Sequence, residues 1–586
     1  MATVKKDGTQ GSRGPVSGRE AASRPRARAV VRHVATTAAG LLAVLAVGAV
    51  AAFGTTGADL LPTAPAAVDA VQDVTVVPAQ EVTVCPGPAR LTDPETVGDA
   101  QFGPAPVGTT SRLRTVVGGD GEAALATLDG AAARPLLAAE DGDVAVTTQD
   151  DPQVGAVLAV RPGADAAPRV AASVGSVTTE GDLRGLAAAS CSRPGISQWL
   201  VGGSTQIGGS AQLVLQNPGL TPATVQVTVW GQGGKAVLSG GGQQLVGPGE
   251  EKVTLVEAAA PEQRRMVVHV AASGGLVSAY LQHSTLDGLV PLGVDYVVPG
   301  AEPAQDVALV GVASVGEAVD DPHAPQLRVL APGDAAGTAS VRVYGEDGAV
   351  PLRGVDSVAL TPGVVTDVSL GGLPAGAYAV AVHADVPVVA GASVDRRGEP
   401  DPDLLHEERQ YDRAWIAAQP VTSLPDGTEV AGPDGSGDVL GPAGQVALVP
   451  GTSSLLTLAA VPAGTAGPGR ADAEGELTLT VRAYDEEGAV LGERSVTVPA
   501  GTTQTLDPES LRPAEADARP AALTVDLDRA TGDAQPVWSL TASAGPPSGD
   551  EGDESPSLVS VLLPVTDAPP PHAVGVRASD TVGLGS

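Results

Sequence analysis

The chain has 586 residues, a formal net charge of −34 and only 2% aromatic side chains. The charge is uneven, because residues 1–33 carry eight basic and two acidic side chains, so the acidic excess lies in the remainder of the chain. A surface this acidic repels nucleic acid and anionic lipid, which excludes nucleic acid as a partner. The length is sufficient for several domains.

The N-terminal part predicts a membrane anchor. Residues 1–33 are rich in Gly, Ser and Arg, and we expect a disordered basic cytoplasmic tail. Residues 34–53 contain no charged side chain, and a helix of this length covers about 30 Å, the thickness of a bilayer core. The basic flank predicts a single plasma-membrane helix with the bulk of the chain outside the cytoplasm. The alternative is a secretory signal cleaved at Ala49-Val50-Ala51, and residues 54–70 are predicted to be a tether.

The only cysteines, Cys85 and Cys191, both follow the predicted membrane helix. In an oxidising compartment such a pair predicts a disulfide, which stabilises by about 4 to 5 kcal/mol in the chain-entropy model. Two reduced thiols are the alternative. Short alternating segments between Gly, Asp and Pro turns predict an N-terminal β-domain at 71–193, and the disulfide would tie its first strand to its exit.

An internal repeat follows Cys191 and indicates the fold. Three segments each contain an alternating strand, an aromatic residue and a turn closed by glycine: TVQVTVWGQGGKAV from Thr224, ASVRVYGEDGAV from Ala339 and LTVRAYDEEGAV from Leu479. Their starts are 115 and 140 residues apart, which is too long for a propeller blade and fits a β-sandwich. We therefore predict an all-β fold of tandem immunoglobulin-like β-sandwich modules behind one N-terminal transmembrane helix. The modules are expected at 194–293, 294–412 and 413–566, with a disordered tail at 567–586.

Each module is expected to turn apolar residues inward and polar residues outward. Trp199, Tyr296 and Trp415 each stand just before a predicted first strand, and we expect them to plug the module cores. Modules joined in this way would form a stiff rod. The charged segment LLHEERQYDRAW, from Leu404, is predicted to be a structured linker between two modules. The alternative is a helical insert that presents Tyr411 outward.

Several of these motifs carry a family resemblance. CPGP at Cys85, the passage from Cys191 to WLVGG, LVLQNPG and TVQVTVWGQGG together resemble a family of uncharacterised actinobacterial proteins, over about residues 70–566. The resemblance implies a single N-terminal span, a large extracytoplasmic part and frequent gene neighbourhood with glycosyltransferases. It implies no assigned activity and no catalytic residues.

Motifs for catalysis are not evident. The sequence has no G-x-S-x-G and no H-E-x-x-H, and Ser204 and Ser210 stand in GGSTQ and GGSAQ. His269 and His383 occupy similar places in the repeats and are expected to be strand-face histidines. Carboxylate pairs that a glycosidase would need all stand in predicted loops: Glu140 with Asp141 and Asp143, Asp401 with Asp403, Glu407 with Glu408, and Asp550 to Glu554.

Calcium is the cation that the sequence favours most, and the signal is weak. Asp434, Ser436 and Asp438 have the alternate spacing that begins a calcium loop, but position six is Val439 and position twelve is Gln445. No other metal or cofactor is expected.

The sequence therefore predicts a non-catalytic, membrane-anchored cell-envelope protein that acts as a scaffold or interaction array. The alternative is an accessory protein that binds envelope polysaccharide for a glycosyltransferase. A cell-wall hydrolase that uses a loop carboxylate pair is the third hypothesis. The expected partners are the membrane, through the N-terminal span, and an envelope glycan or a membrane protein.

Overall fold

The computed structural model describes residues 71–76, 80–91, 108–119, 121–131, 133–136, 144–162, 169–352, 355, 357–400, 409–421, 444–463, 474–515, 517–547, 556–566 and 572–577. Within these ranges, no helix is long and apolar enough to cross a membrane. The predicted cytoplasmic tail, transmembrane helix and tether lie outside the described residues.

The chain divides into two units, one of residues 75–573 and one of the two chain ends. The described part of the chain ends is a two-stranded sheet of β1 (Val71–Val76) and β38 (His572–Arg577). Strand β38 falls within the segment that was predicted to be a disordered tail.

The described residues of the larger unit form seven sheets, which build four modules, because one nine-stranded sheet supplies both layers of module 3. Each module has one layer that contains its first strand and a second layer that contains its last strand of more than two residues. We call these the first-strand sheet and the last-strand sheet. This confirms the prediction of an all-β fold with several sheets.

Module 1 combines the first-strand sheet β2-β7-β4-β5 with the last-strand sheet β6-β3-β8-β9. Its strands are β2 (Glu81–Cys85), β3 (Thr109–Gly118), β4 (Gly121–Thr127), β5 (Arg134–Leu136), β6 (Val144–Asp150), β7 (Ala156–Pro162), β8 (Arg169–Thr178) and β9 (Gly185–Ser190). A disulfide joins Cys85 to Cys191, 106 residues apart, which confirms the predicted pairing.

Module 2 combines β13-β12-β16-β10-β19, with β14 also on β12, and the last-strand sheet β15-β11-β17-β18. Its elements are β10 (Ser197–Val201), β11 (Gly209–Gln216), β12 (Ala223–Gly231), β13 (Gly234–Lys235), β14 (Gln243–Val246), β15 (Glu251–Leu255), the single-turn helix α1 (Val256–Ala259), β16 (Val267–Ser273), β17 (Ser278–Asp287), β18 (Val290–Val297) and β19 (Pro299–Gly300).

Module 3 repeats this plan, but one long bent strand, β26, takes part in both of its layers. Its strands are β20 (Ala304–Ser314), β21 (Gln326–Leu330), β22 (Gly337–Gly345), β23 (Gly348–Val350), β24 (Val358–Leu360), β25 (Thr366–Ser369), β26 (Gly376–Pro400), β27 (Arg409–Ala417) and β28 (Gln419–Pro420). The segment predicted as a linker from Leu404 is therefore strand β27 from Arg409 onward.

Module 4 combines β32-β31-β34-β29-β37 with the last-strand sheet β33-β30-β35-β36. Its elements are β29 (Gly444–Ala447), β30 (Ser453–Pro462), β31 (Glu476–Tyr484), β32 (Val490–Pro499), β33 (Thr502–Leu506), a 3₁₀ turn (Pro508–Leu511), β34 (Ala522–Ala530), β35 (Ala534–Pro547), β36 (Pro556–Leu562) and β37 (Val565–Thr566).

The strand order differs from that of an immunoglobulin domain, where the first strand pairs with the second. In module 2 the first strand, β10, pairs with β16, and the second strand, β11, pairs with β15 and β17. The immunoglobulin-like part of the prediction is therefore not confirmed. The predicted boundaries at 293/294 and 412/413 fall inside β18 and β27.

The four modules form a closed ring rather than the expected rod. Their last strands of more than two residues, β9, β18, β27 and β36, which we call the closing strands, pack on one another in a cycle at the centre. Each closing strand also contributes to the core of the preceding module. Tyr296 of β18 lies in the core of module 1, Trp415 of β27 in that of module 2, and Val561 of β36 in that of module 3.

The ring closes because β9 of module 1 contributes side chains to the core of module 4. Leu186 and Ala188 belong to module 1 in sequence, but they are buried in the core of module 4 with Trp538 and Leu540. Tyr296 and Trp415 therefore lie in module cores as predicted, although these cores belong to the preceding modules. The prediction is wrong for Trp199, which packs with Trp230 and Leu330 at the interface of modules 2 and 3.

Ring formation also buries the outer faces of the sheets, which corrects the expectation of polar outward faces. The aromatic residues of the sequence repeat lie at these module interfaces. Trp230 of module 2 packs with Leu330 and Val365 of module 3. Tyr344 of module 3 packs with Val537 of module 4. Tyr484 of module 4 packs with module 1, on Val116, Val144 and Ala171. Small Ala and Val side chains let the sheets approach closely, which explains the composition of the chain.

Candidate functional site

The centre of the ring contains two buried carboxylates, Asp295 on β18 and Asp412 on β27, which are 1% and 0% exposed. Each closing strand lies at the edge of its own sheet, so its outer backbone groups need partners other than a neighbouring strand. The two carboxylates supply those partners.

Asp412 links three closing strands. Its Oδ2 accepts hydrogen bonds from the backbone N–H of Leu186 at 3.0 Å and of Val559 at 2.8 Å. Burial raises the pKa of Asp412 to about 7, although the backbone N–H groups and Arg184 favour the ionised form. The Asp412 side chain lies so close to Gly293 that only glycine fits there. A Cβ on Gly293, whose φ is +107°, would lie 2.5 Å from Asp412 Oδ1.

Asp295 makes the matching connection on the other side. Its Oδ2 accepts from the backbone N–H of Trp415 at 2.8 Å, and its Oδ1 accepts from Ser560 Oγ at 2.8 Å and from the N–H of Ala188 at 3.3 Å. Burial, opposed by these hydrogen bonds, raises the pKa of Asp295 well above its ordinary value. Both carboxylates are thus committed to holding the closing strands, and neither is accessible to a substrate.

A second buried network joins modules 2 and 3. Arg328 donates to the carbonyls of Gly203 at 2.7 Å and Met266 at 3.2 Å, and its Nε and Nη2 donate to Asp367 at 2.8 and 3.1 Å. Its guanidinium lies 5.4 Å from the centre of the Trp415 ring. Planar guanidinium chemistry suits this combination of a paired carboxylate and an aromatic face.

The same interface places a serine beside a histidine. Ser204 Oγ is 3.3 Å from His283 Nε2, which is the contact that a serine nucleophile would need. However, His283 Nδ1 accepts a hydrogen bond from Trp415 Nε1 at 3.3 Å, so the ring proton resides on Nε2. Burial, with Arg413 and Arg328 nearby, lowers the pKa of His283 to about 3. The imidazole is therefore a neutral donor towards Ser204 and does not act as its base.

A half-exposed cluster lies on module 3. Asp395 accepts from Arg413 Nε at 2.6 Å and Nη2 at 2.7 Å, and it contacts His323 Nδ1 at 2.8 Å. Burial opposes ionisation of Asp395, but Arg413 and these hydrogen bonds hold its pKa below the ordinary value. The His323 ring stacks on Tyr411 with centroids 3.6 Å apart. Tyr411 is therefore covered by a histidine and is not the open aromatic platform that the sequence allowed.

The two predicted strand-face histidines lie on equivalent strands. His269 is on β16, where it stacks on Trp199 at 4.1 Å and contacts Ser197 Oγ through Nε2 at 3.0 Å. His383 is on β26, where its Nδ1 contacts Asp306 Oδ1 at 2.7 Å. Neither is joined by enough ligands for a metal site, and the described residues contain no group of three His, Cys, Asp or Glu that could hold one.

The remaining predicted site residues lie outside the described residues. These are the calcium candidates Asp434, Ser436 and Asp438, and the loop carboxylates at 140–143, 401–408 and 550–554. Asp295 and Asp412, the two buried carboxylates at the centre of the ring, were not identified from the sequence. Their only signal is an acidic residue within an otherwise apolar strand, as in GVDYVV.

Residues 145–509 match the model of a family of unknown function, DUF5719. The chain belongs to this family. This confirms the predicted relationship to an uncharacterised family, while actinobacterial origin and a glycosyltransferase neighbourhood stay predictions. A comparison with curated proteins finds no match.

Among solved structures, this chain is similar to one titled "Biofilm associated protein - BSP domain", at 11% sequence identity. The alignment covers 83% of this chain and 96% of that chain, with a TM-score of 0.10. At that TM-score the likeness supports no conclusion on fold or function.

Proposed function

We propose that this DUF5719 protein is a non-catalytic, membrane-anchored component of the cell envelope that serves as a rigid scaffold for several weak contacts. The observation that carries the proposal is the use of its reactive side chains. The buried carboxylates Asp295 and Asp412 bind backbone N–H groups, and His283 is a neutral donor. These groups hold the ring together, which is a structural use and not a catalytic one.

The placement outside the cytoplasm has two supports. The disulfide between Cys85 and Cys191 suits an oxidising compartment. The apolar segment at 34–53 with its basic flank suits a membrane anchor whose following chain is exported. A closed ring of four modules then presents loops from each module at fixed relative positions, so that weak contacts act together.

The test is binding of the full chain, in lipid nanodiscs, to fractionated envelope polysaccharides and, in parallel, chemical crosslinking in intact membranes. Crosslinks to specific membrane or envelope proteins without saturable glycan binding would support the scaffold. Saturable glycan binding would replace the scaffold with the polysaccharide-binding hypothesis, and its dependence on calcium would direct attention to Asp434, Ser436 and Asp438. Release of reducing sugar from any fraction would contradict a non-catalytic role.

A further inference from the structure

Module 2 has an opening at its outer edge that leads into its core. Strands β14 and β15 form this edge, and between them lies an open cavity of about 110 Å³. Its walls are mainly aliphatic, from Leu213, Val227, Val229, Leu238 and Val256, and its rim carries Ser239, Gln243, Gln244 and Thr254. Apolar walls with a few polar groups at the opening are the usual features of a small-molecule site.

In modules 3 and 4, described side chains cover the corresponding edge. In module 3, Val350, Val355 and Val358 pack against the core from this side. In module 4, the long strand β32 places Leu491 and Val496 there. In module 2, the chain between β13 and β14 leaves the sheet and supplies only Ala236 and Leu238. The cavity is therefore a property of this connection and not of the shared fold.

That connection covers part of the cavity and is rich in glycine. Ser239 is attached to α1 through its N–H, which donates to the Ala259 carbonyl at 3.1 Å. Three successive glycines, Gly240 to Gly242, then adopt positive φ of 87°, 81° and 74°. A Cβ on Gly240 or Gly241 would meet nothing within 4 Å, so these glycines are free of close packing. Gly242 differs, because its carbonyl accepts from the Val227 N–H at 2.8 Å and holds this end of the segment on β12.

The surface beside the mouth is apolar as well. Val237 is 94% exposed, Leu245 on β14 is 60% exposed, and Val253 on β15 is 50% exposed. At the rim, Gln244 Oε1 accepts from Thr254 Oγ1 at 3.1 Å, which turns the Gln244 amide nitrogen towards other acceptors. A ligand that fits both features has an aliphatic part and a hydrogen-bond acceptor at one end.

We propose that this cavity binds one aliphatic chain with a neutral, hydrogen-bond-accepting head, such as an alcohol or an ester. The chain occupies the space between Val229 and Val256, and the head contacts Gln244 at the rim. A neutral head is preferred because the protein carries a net charge of −34, which disfavours an anionic head. This inference does not depend on the scaffold proposal.

The experiment is photolabelling of the full chain in nanodiscs with an alkyl alcohol that carries a diazirine, followed by mass spectrometry of the labelled peptides. We expect labels on β12 and on the segment from β15 to α1, and we expect excess 1-octanol to compete. Methyl octanoate should compete about as well as 1-octanol, and octanoate should compete about tenfold less well. If short-chain phospholipid in the nanodiscs also reduces labelling, the natural ligand is a lipid. If only 1-octanol reduces labelling, the natural ligand is a free alkyl compound.

Two neighbouring alanines provide a matched pair of variants. Ala259 lines the cavity, whereas Ala258 is exposed on the same helix turn. Ala259→Leu fills the cavity and should reduce labelling about tenfold or more, whereas Ala258→Leu should leave it unchanged. Val229→Ile is a milder filling change that should reduce labelling in part, and thermal unfolding checks that each variant is folded. Labelling that octanol does not compete, or that persists in folded Ala259→Leu, would overturn the proposal.

Discussion

The buried carboxyl of Asp412 should make the stability of the ring depend on pH in an unusual direction. Its pKa is raised from an ordinary 3.8 to about 7, chiefly by burial. A group with a raised pKa in the folded state contributes stability that is fully present below its unfolded pKa and is lost as the pH rises through its folded pKa. The contribution of Asp412 is therefore present at about pH 4 and absent at about pH 8.

The size of this effect follows from the shift. A difference from 3.8 to about 7 corresponds to up to about 4 kcal/mol between the two ends of the range. In Asp412→Asn, one amide oxygen still accepts from Leu186 and Val559, but the bond from the Arg413 N–H at 3.0 Å is lost. We expect a cost of about 1 kcal/mol at low pH, from that lost bond, and a gain at high pH, where the buried charge is gone.

The assay is denaturant unfolding of the wild type and Asp412→Asn at about pH 4 and about pH 8. The pH-dependent part of the free energy of unfolding should shrink by up to about 4 kcal/mol in the variant. Asp395→Asn provides a control of opposite sign, because the pKa of Asp395 is lowered and its contribution is lost as the pH falls. An Asp412→Asn variant with the full pH dependence of the wild type would refute the role assigned to this carboxyl.

Three further perturbations test the ring. Leu186 lies in the core of module 4, so Leu186→Ala should lower the free energy of unfolding by about 3 kcal/mol and accelerate hydrogen exchange in module 4. The control Leu289→Ala, at an 81% exposed site, should change neither quantity. Replacing Cys85 and Cys191 together by serine should cost about 4 kcal/mol in thermal or denaturant unfolding, because the crosslink spans 106 residues. Arg328→Lys should cost about 2 kcal/mol, since lysine cannot reproduce the two bonds to Asp367, and unchanged unfolding would contradict a structural role for that pair.

Local pattern was enough to predict the strands and the repeat, because alternation of apolar and polar residues reports the pleat directly. The disulfide followed from the compartment and from the count of two cysteines. The ring did not follow, because whether an outer sheet face meets water or another module is decided by residues hundreds of positions away. Trp230, Tyr344 and Tyr484 look alike in the repeat whether they cover a core or an interface.

The central carboxylates escaped prediction for a related reason. Asp295 and Asp412 occupy positions in their own strands that would be ordinary at a solvated edge. Only the meeting of four closing strands makes those edges internal, so that their N–H groups need acceptors. Their pKa values are therefore a property of the assembled ring and not of the local sequence.

The same ring decides where a ligand can be met. Its centre is filled by the closing strands and two committed carboxylates, and its module interfaces are occupied by Trp230, Tyr344 and Tyr484. We therefore expect ligand contacts at the loops and edges of the perimeter, where the described part of module 2 has its edge cavity. If the cavity of module 2 binds an aliphatic chain, the repeated modules have diverged in function at an edge that the closing strands do not occupy.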